Sequence, residues 1–162
     1  MTESSEQLDV RVSTPCWGLS EAAAKALVKD VVDAVRSHCG PLPGGALEVW
    51  FADDDDVQAL NRRFRRQDRP TNVLSFAAPS GQSLQLGQLV LACGVCDREA
   101  GARGVDREDH ARHLVTHGLL HLLGHDHESN EEAERMEAQE RAIMAAMGLH
   151  DPYILKDGKA GD

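Results

Sequence analysis

His117-Gly118-Leu119-Leu120-His121-Leu122-Leu123-Gly124-His125-Asp126-His127 is the stretch on which the reading of this chain turns. Side chains four apart on a helix lie one turn above each other on the same face, so His117 and His121 can point both imidazoles at one ion. Gly124 is placed to end that helix, because glycine takes the left-handed conformation just past a helix end without steric cost. The chain beyond it can fold His127 back toward the first two rings. His125 and Asp126 are the alternatives for third ligand, and the spacing favours His127. Three protein ligands leave the fourth zinc position to water or substrate, which is the arrangement of catalytic sites rather than structural ones.

The spacing fits the metzincin signature H-E-x-x-H-x-x-G-x-x-H at every ligand and at the turn, with one departure. Gly118 stands where such a peptidase carries the glutamate that takes a proton from the zinc-bound water, and glycine offers no base. The residues thus predict a metal cage without the peptidase's base. Among eight histidines a chance pair four apart means little. The third histidine and the glycine turn carry the assignment. At about 100° per residue, His110, His113, His117 and His121 form a stripe beside an apolar face of Ala111, Leu114, Val115, Gly118 and Leu122. His110 and His113 are therefore expected to line or support the site.

Length and composition agree with one soluble globular domain: 162 residues, 41% hydrophobic and 27% charged, are enough for a core of its own. Neither an apolar run long enough for a membrane span nor a basic-then-apolar leader is present, so the cytoplasm is the expected compartment. Cys16, Cys39, Cys93 and Cys96 do not suggest a disulfide framework. The pair in Cys93-Gly94-Val95-Cys96 reads as small buried residues where a strand passes into a helix. A formal net charge of −10 argues against general nucleic-acid affinity. The charge is unevenly spread, however: Glu128, Glu131, Glu132, Glu134, Glu137 and Glu140 share one segment, while Arg62, Arg63, Arg65, Arg66 and Arg69 crowd another. A phosphate-bearing ligand responds to the local field more than to the total.

In chain order, Leu8, Val10 and Val12 alternate with polar residues as a half-buried strand does. Ser20 caps a helix that ends at Gly40, and Leu47, Val49 and Phe51 give a second strand. Asp53 to Asp56 supply acid to the start of the next helix, whose buried stripe is Val57, Leu60 and Phe64. Asp68-Arg69-Pro70 ends it. Asn72 to Phe76 and Leu86 to Ala92 are the third and fourth strands, the latter apolar enough to be central. A short helix over Asp97 to Arg103 precedes the histidine helix capped by Asp106. A last helix runs from about Asn130 to Met147, burying Ala133, Met136, Ile143, Met144 and Met147. The expected fold is α+β: a single domain over residues 1–162 with about four strands in a mixed sheet, about five helices, and flexible tails at 1–7 and 154–162.

The histidine stretch, together with Leu60-Asn61-Arg62-Arg63-Phe64-Arg65, Thr71-Asn72-Val73-Leu74-Ser75-Phe76 and Leu86-Gly87-Gln88-Leu89-Val90, resembles the YbeY family of bacterial ribosomal-RNA maturation factors. The likeness takes in most of residues 45–153. It implies a single-strand-specific, metal-dependent endoribonuclease that matures the 3′ end of small-subunit ribosomal RNA and serves ribosome quality control. It implies one zinc ion held by His117, His121 and His127, and a functional requirement for Arg65. The implied partners are single-stranded ribosomal RNA, the small ribosomal subunit with its proteins, and a ribosome-associated GTPase, with no membrane and no DNA. Gln88 departs from the aspartate that is common there in the family.

For a ribonuclease the missing base at Gly118 matters less than for a peptidase, because zinc can polarise a phosphoryl oxygen and RNA brings its own 2′-hydroxyl nucleophile. The planar fork of Arg65 matches phosphate oxygens. Two other functions share these residues. A zinc peptidase would turn over peptides, and a ribosome-assembly factor with a structural metal would bind ribosomes without cutting RNA.

Overall fold

The computed structural model describes residues 8–42, 45–77, 85–125 and 128–153. Four strands form one mixed sheet: β1 (Leu8–Val12), β2 (Ala46–Ala52), β3 (Val73–Ala77) and β4 (Gln85–Ala92), in the spatial order β1-β2-β4-β3. β1 and β4 run parallel to β2 on either side of it, whereas β3 pairs antiparallel with β4 at the edge. The helices are α1 (Glu21–Cys39), α2 (Asp54–Arg65), α3 (Cys93–Arg103), α4 (Arg107–Leu122) and α5 (Asn130–Ala146). This is the expected α+β architecture. The tails expected at 1–7 and 154–162 lie outside the described residues, as do His127 and Asp126.

The alternation in the strands divides the sheet into two unlike faces. Leu47, Val49 and Phe51 of β2 and Leu89 and Leu91 of β4 point into the main core, beneath α1 and α4. Val90, Ala92, Ala52 and Leu74 point the other way and pack beneath α2 with Val57. α4 carries the histidines and sits at the centre of the helical layer, against β3 and β4 and in contact with α1, α3 and α5. Among the described residues no helix is long and apolar enough to cross a membrane.

Two features differ from expectation. α3 begins at Cys93 rather than near Asp97, because its first turn is completed from elsewhere. The Asp54 carboxylate at the start of α2 accepts the Val95 N–H at 3.1 Å, answering one of the donors that a helix start leaves unpaired. Cys93 is buried as expected, but it forms a disulfide with Cys16, 77 residues away, so the chain does carry a covalent cross-link. A short 3-10 turn, Pro15–Trp17, brings Cys16 there. Trp17 anchors that turn in the core with its indole N–H on the Ala52 carbonyl at 2.9 Å. Cys96, the other half of the C-x-x-C, stays a buried free thiol, and burial pushes its pKa up to about 12, which makes it an inert packing residue.

A cross-link spanning this much chain removes conformational freedom from the unfolded state. Cys16→Ser should lower the free energy of unfolding in urea by about 2–4 kcal/mol relative to the oxidised protein. Wild type unfolded in the presence of reductant should match the variant, and equal stability of all three would show the cross-link to be unformed or without effect.

Candidate active site

The end of α4 presents the first two histidines. The helix closes as the sequence suggests: Gly124 takes φ of +100°, its N–H donates to the His121 carbonyl at 3.0 Å, and the His125 N–H donates to the Leu120 carbonyl at 3.0 Å. This paired bonding answers the last carbonyls of the helix and fixes the direction in which the chain leaves it. His117 and His121 lie one turn apart with ring centroids 4.9 Å from each other and planes at 79°.

Both rings line a cleft of about 380 Å³ whose other walls include Arg65, Thr71, Asn72, Val73 and Ser75. Arg65 arrives from the last residue of α2. Its guanidinium passes over the Phe76 ring, with Cζ 5.3 Å from the centroid, and Nη2 donates to the Ser75 carbonyl at 2.6 Å. β3 turns that carbonyl off the sheet's edge, since the alternate carbonyl of Asn72 is the one that accepts from Ala92 of β4. Arg65 therefore straddles the edge strand, rooted on the α2 side and ending in the histidine cleft. That contact uses one of the five N–H donors of the fork. The turn after α2 is held by Asn61, which is buried and donates from its side-chain amide to the Arg69 carbonyl at 2.8 Å.

Behind His117 lies a carboxylate whose role the sequence reading missed. Glu140 of α5 has no exposed surface. Its Oε2 accepts the His117 Nδ1–H, and its Oε1 accepts both the His113 Nε2–H at 2.8 Å and the Tyr153 hydroxyl. Burial alone would raise its pKa, but the hydrogen bonds from His113 and His117 outweigh burial and hold it at about 2, so the group is ionised. Burial in turn pushes the His113 pKa down despite Glu140, so His113 is a neutral ring. Its Nδ1 has no partner among the described residues. A neutral ring protonated at Nε2 tolerates this, because what it leaves there is an acceptor rather than a donor. The bond from His117 Nδ1–H fixes that ring's tautomer with the lone pair on Nε2, which is how carboxylates commonly orient metal-binding histidines.

His110 has a parallel partner. Its Nε2 bonds Glu99 at 2.8 Å, and Glu99 also receives the side-chain amide of Asn72 at 3.1 Å, a cleft residue. Thus His110 and His113 do not line the cleft; they support it through Glu99 and Glu140. Gly118 is explained by packing. A Cβ there would stand 2.7 Å from Leu89 Cδ2 and 3.2 Å from Ser75 Oγ, so α4 lies against the sheet at this point. A glutamate at this position has no room and would face the sheet. Gln88 is exposed on the opposite face, bonded to Glu48 at 2.6 Å, away from the histidines.

The structure therefore brings Arg65, His117 and His121 together, while the expected third ligand, His127, lies outside the described residues. Among the described residues no group of three or more His, Cys, Asp or Glu side chains is arranged to hold a metal. The donors present suit zinc by type, being two imidazoles one helical turn apart with one ring oriented by a buried carboxylate.

The chain as a whole is similar to known proteins. The family profile described as Endoribonuclease YbeY matches residues 12–148. A protein named Endoribonuclease YbeY from Novosphingobium aromaticivorans is 44% identical over 88% of this chain and 93% of its own. One of the same name from Rhodopseudomonas palustris is 42% identical over 92% of this chain and 82% of its own, and one from Rhizorhabdus wittichii is 38% identical over 88% and 94%. The solution structure of TM1509 from Thermotoga maritima shares the fold, with a TM-score of 0.56 at 22% identity over 90% of this chain and 98% of that one.

Two substitutions check the packing and the orientation of the site. Gly118→Ala should cost about 1–3 kcal/mol of stability, since a methyl group must displace Leu89; a neutral effect in thermal unfolding would contradict the close approach of α4 to β4. Glu140→Gln should lower stability by about 1–3 kcal/mol, because an amide N–H then faces groups that donated to the carboxylate, and weaken zinc binding about 10–100-fold, measured by competition with a chelating dye. Wild-type affinity in the folded variant would show that Glu140 does not orient His117.

Proposed function

The chain belongs to the YbeY endoribonuclease family, and from that premise we propose that it is a zinc-dependent endoribonuclease. It cuts single-stranded RNA in the maturation of the small-subunit ribosomal RNA 3′ end and in ribosome quality control. The observation that carries the reading is the shared cleft of Arg65, His117 and His121, a phosphate-matching cation facing two metal-type donors. A family of RNA-cutting enzymes makes RNA the substrate class. Ribosomal RNA and the small subunit with its proteins follow from the motif resemblance and belong to the proposal, as does the cytoplasmic compartment expected from the sequence.

The roles divide by chemistry. His117, His121 and His127 would hold the zinc, which supplies Lewis-acid stabilisation of the charge that develops on the phosphate. Arg65 is assigned to bind the scissile phosphate through the remaining donors of its fork. Its anchor on the Ser75 carbonyl limits its motion, so little ordering is left to be done when phosphate arrives. Glu140 keeps the proton on His117 Nδ1, and Asn72, steadied by Glu99, offers an amide on the cleft wall. No side chain at position 118 takes part. That disfavours the peptidase reading, because the position of the peptidase's base is closed by Leu89.

The decisive measurement is cleavage of a defined single-stranded RNA by wild type, Arg65→Ala and His117→Ala purified in parallel, with and without chelator. Arg65→Ala should lose about 10²–10³-fold in kcat, the cost of removing one charge-stabilising donor, while keeping its metal. His117→Ala should lose both metal and activity. Cleavage that persists equally in all three would identify a contaminating nuclease and leave a non-catalytic assembly factor. A 2′,3′-cyclic phosphate on the products would identify the 2′-hydroxyl as the nucleophile, and a 5′-phosphate would identify water.

A further inference from the structure

The face of the sheet turned away from the histidines is not fully covered. α2 spans only part of it, and beyond Leu60 and Phe64 a groove of about 490 Å³ opens over Trp50, Phe76 and Gln88, a volume in the range of ligand-binding clefts. Phe64 is 57% exposed, the one large apolar side chain among the described residues that stands out into solvent. It meets Phe76 edge to face at 5.6 Å between centroids. Phe64, expected in the buried stripe of α2, is instead exposed: it lies in the helix's last turn and meets the sheet at its edge strand, through Phe76.

Cations accompany each aromatic ring. Arg63 lies over Phe64 with Cζ at 5.1 Å, Arg65 over Phe76 at 5.3 Å, and Arg11 over Trp50 at 4.2 Å. In a chain whose net charge is −10, guanidinium groups set beside an exposed Phe64 and half-buried Phe76 and Trp50 are a local exception with a definite chemistry. Flat rings stack on bases and guanidinium groups meet phosphates, which is how sequence-tolerant single-strand binders work. The groove has an acidic end at Asp9 and Glu48, where the Gln88 amide donates to Glu48. Carboxylates there repel phosphates and accept from the exocyclic amines of bases, so they favour a strand lying with its bases inward.

The groove adjoins the cleft across the edge strand. Arg65 stands between them: its guanidinium lines the histidine cleft and lies over Phe76, which lines the groove. Ser75 and Phe76 are successive residues of the edge strand, facing the cleft and the groove respectively. A single strand held at Arg65 can therefore turn around the sheet's edge from one face to the other.

We propose that the Phe64–Phe76–Trp50 groove is a second RNA-binding site that takes nucleotides flanking the scissile phosphate, bases stacked on Phe64 and phosphates near Arg63 and Arg11. This rests on the ribonuclease reading given above. The groove selects for single strands, because paired bases present no open face to stack on. Affinity grows with RNA length until the flanking nucleotides reach Phe64.

The test is fluorescence anisotropy of labelled oligoribonucleotides with wild type, Phe64→Ala and Phe64→Trp, beside cleavage kinetics of the same RNAs. Phe64→Ala should weaken binding of a single-stranded dodecamer about 10-fold and raise its KM similarly with kcat kept, while binding of a di- or trinucleotide and of a duplex stays at the wild-type level. Phe64→Trp should restore the dodecamer. Equal dodecamer affinity in wild type and Phe64→Ala overturns the proposal, including the case in which the groove serves a protein partner instead. Equal losses for short and long RNA overturn it as well, since they place the effect in the cleft. Absence of cleavage by wild type with Phe64-dependent binding intact would instead sink the enzymatic reading and leave the groove standing.

Discussion

A carboxylate removed from water must be answered by donors, and Glu140 is answered by three: His113, His117 and Tyr153. The arrangement ties α5 and the segment after it to α4, and it ties them at the metal-type end of α4. An ionised buried carboxylate missing one donor is costly, so each partner holds the others in place. His117 is consequently not a surface ring that finds its geometry when a ligand arrives. Its orientation is a by-product of how the helical layer is closed, which is the economy of building a site on packed elements rather than on a loop.

The second determinant is how near α4 lies to the sheet. Gly118 allows contact with Leu89 and Ser75, and this sets the height of the histidines above β3. The same closeness takes away the position from which a peptidase would draw its base. The one residue that departs from the metzincin pattern is thus the residue that the packing requires to be small. Function and fold make the same demand there, and a single substitution cannot separate them.

Much of this was legible in the sequence where the signal is local. Strand alternation in β1 and β2, the Ser20 cap and the Gly124 turn each involve residues within a few positions of one another, and each formed as read. The α3 start was misplaced because its missing cap comes from Asp54, on another helix. The disulfide was missed because nothing in the residues around Cys16 or Cys93 shows that they meet. Glu140 was hidden in a run of acids, yet a signal existed: it falls four residues after Met136 and three before Ile143, on the buried stripe of α5. A charge in register with a core stripe has to find partners inside, unlike Glu137 or Glu134 beside it. Tyr153, in a segment without periodicity, gave no such clue.

Arg65 has one further consequence. β3 is an outer strand, and outer strands expose backbone groups that a strand of another molecule can use. The Ser75 carbonyl is one of these, and Arg65 already occupies it. A charged side chain fixed on the rim makes it a poor template for intermolecular sheet growth. The guanidinium assigned to recruit phosphate thus also guards the protein's own solubility, so losing it would tax the molecule even where no RNA is present.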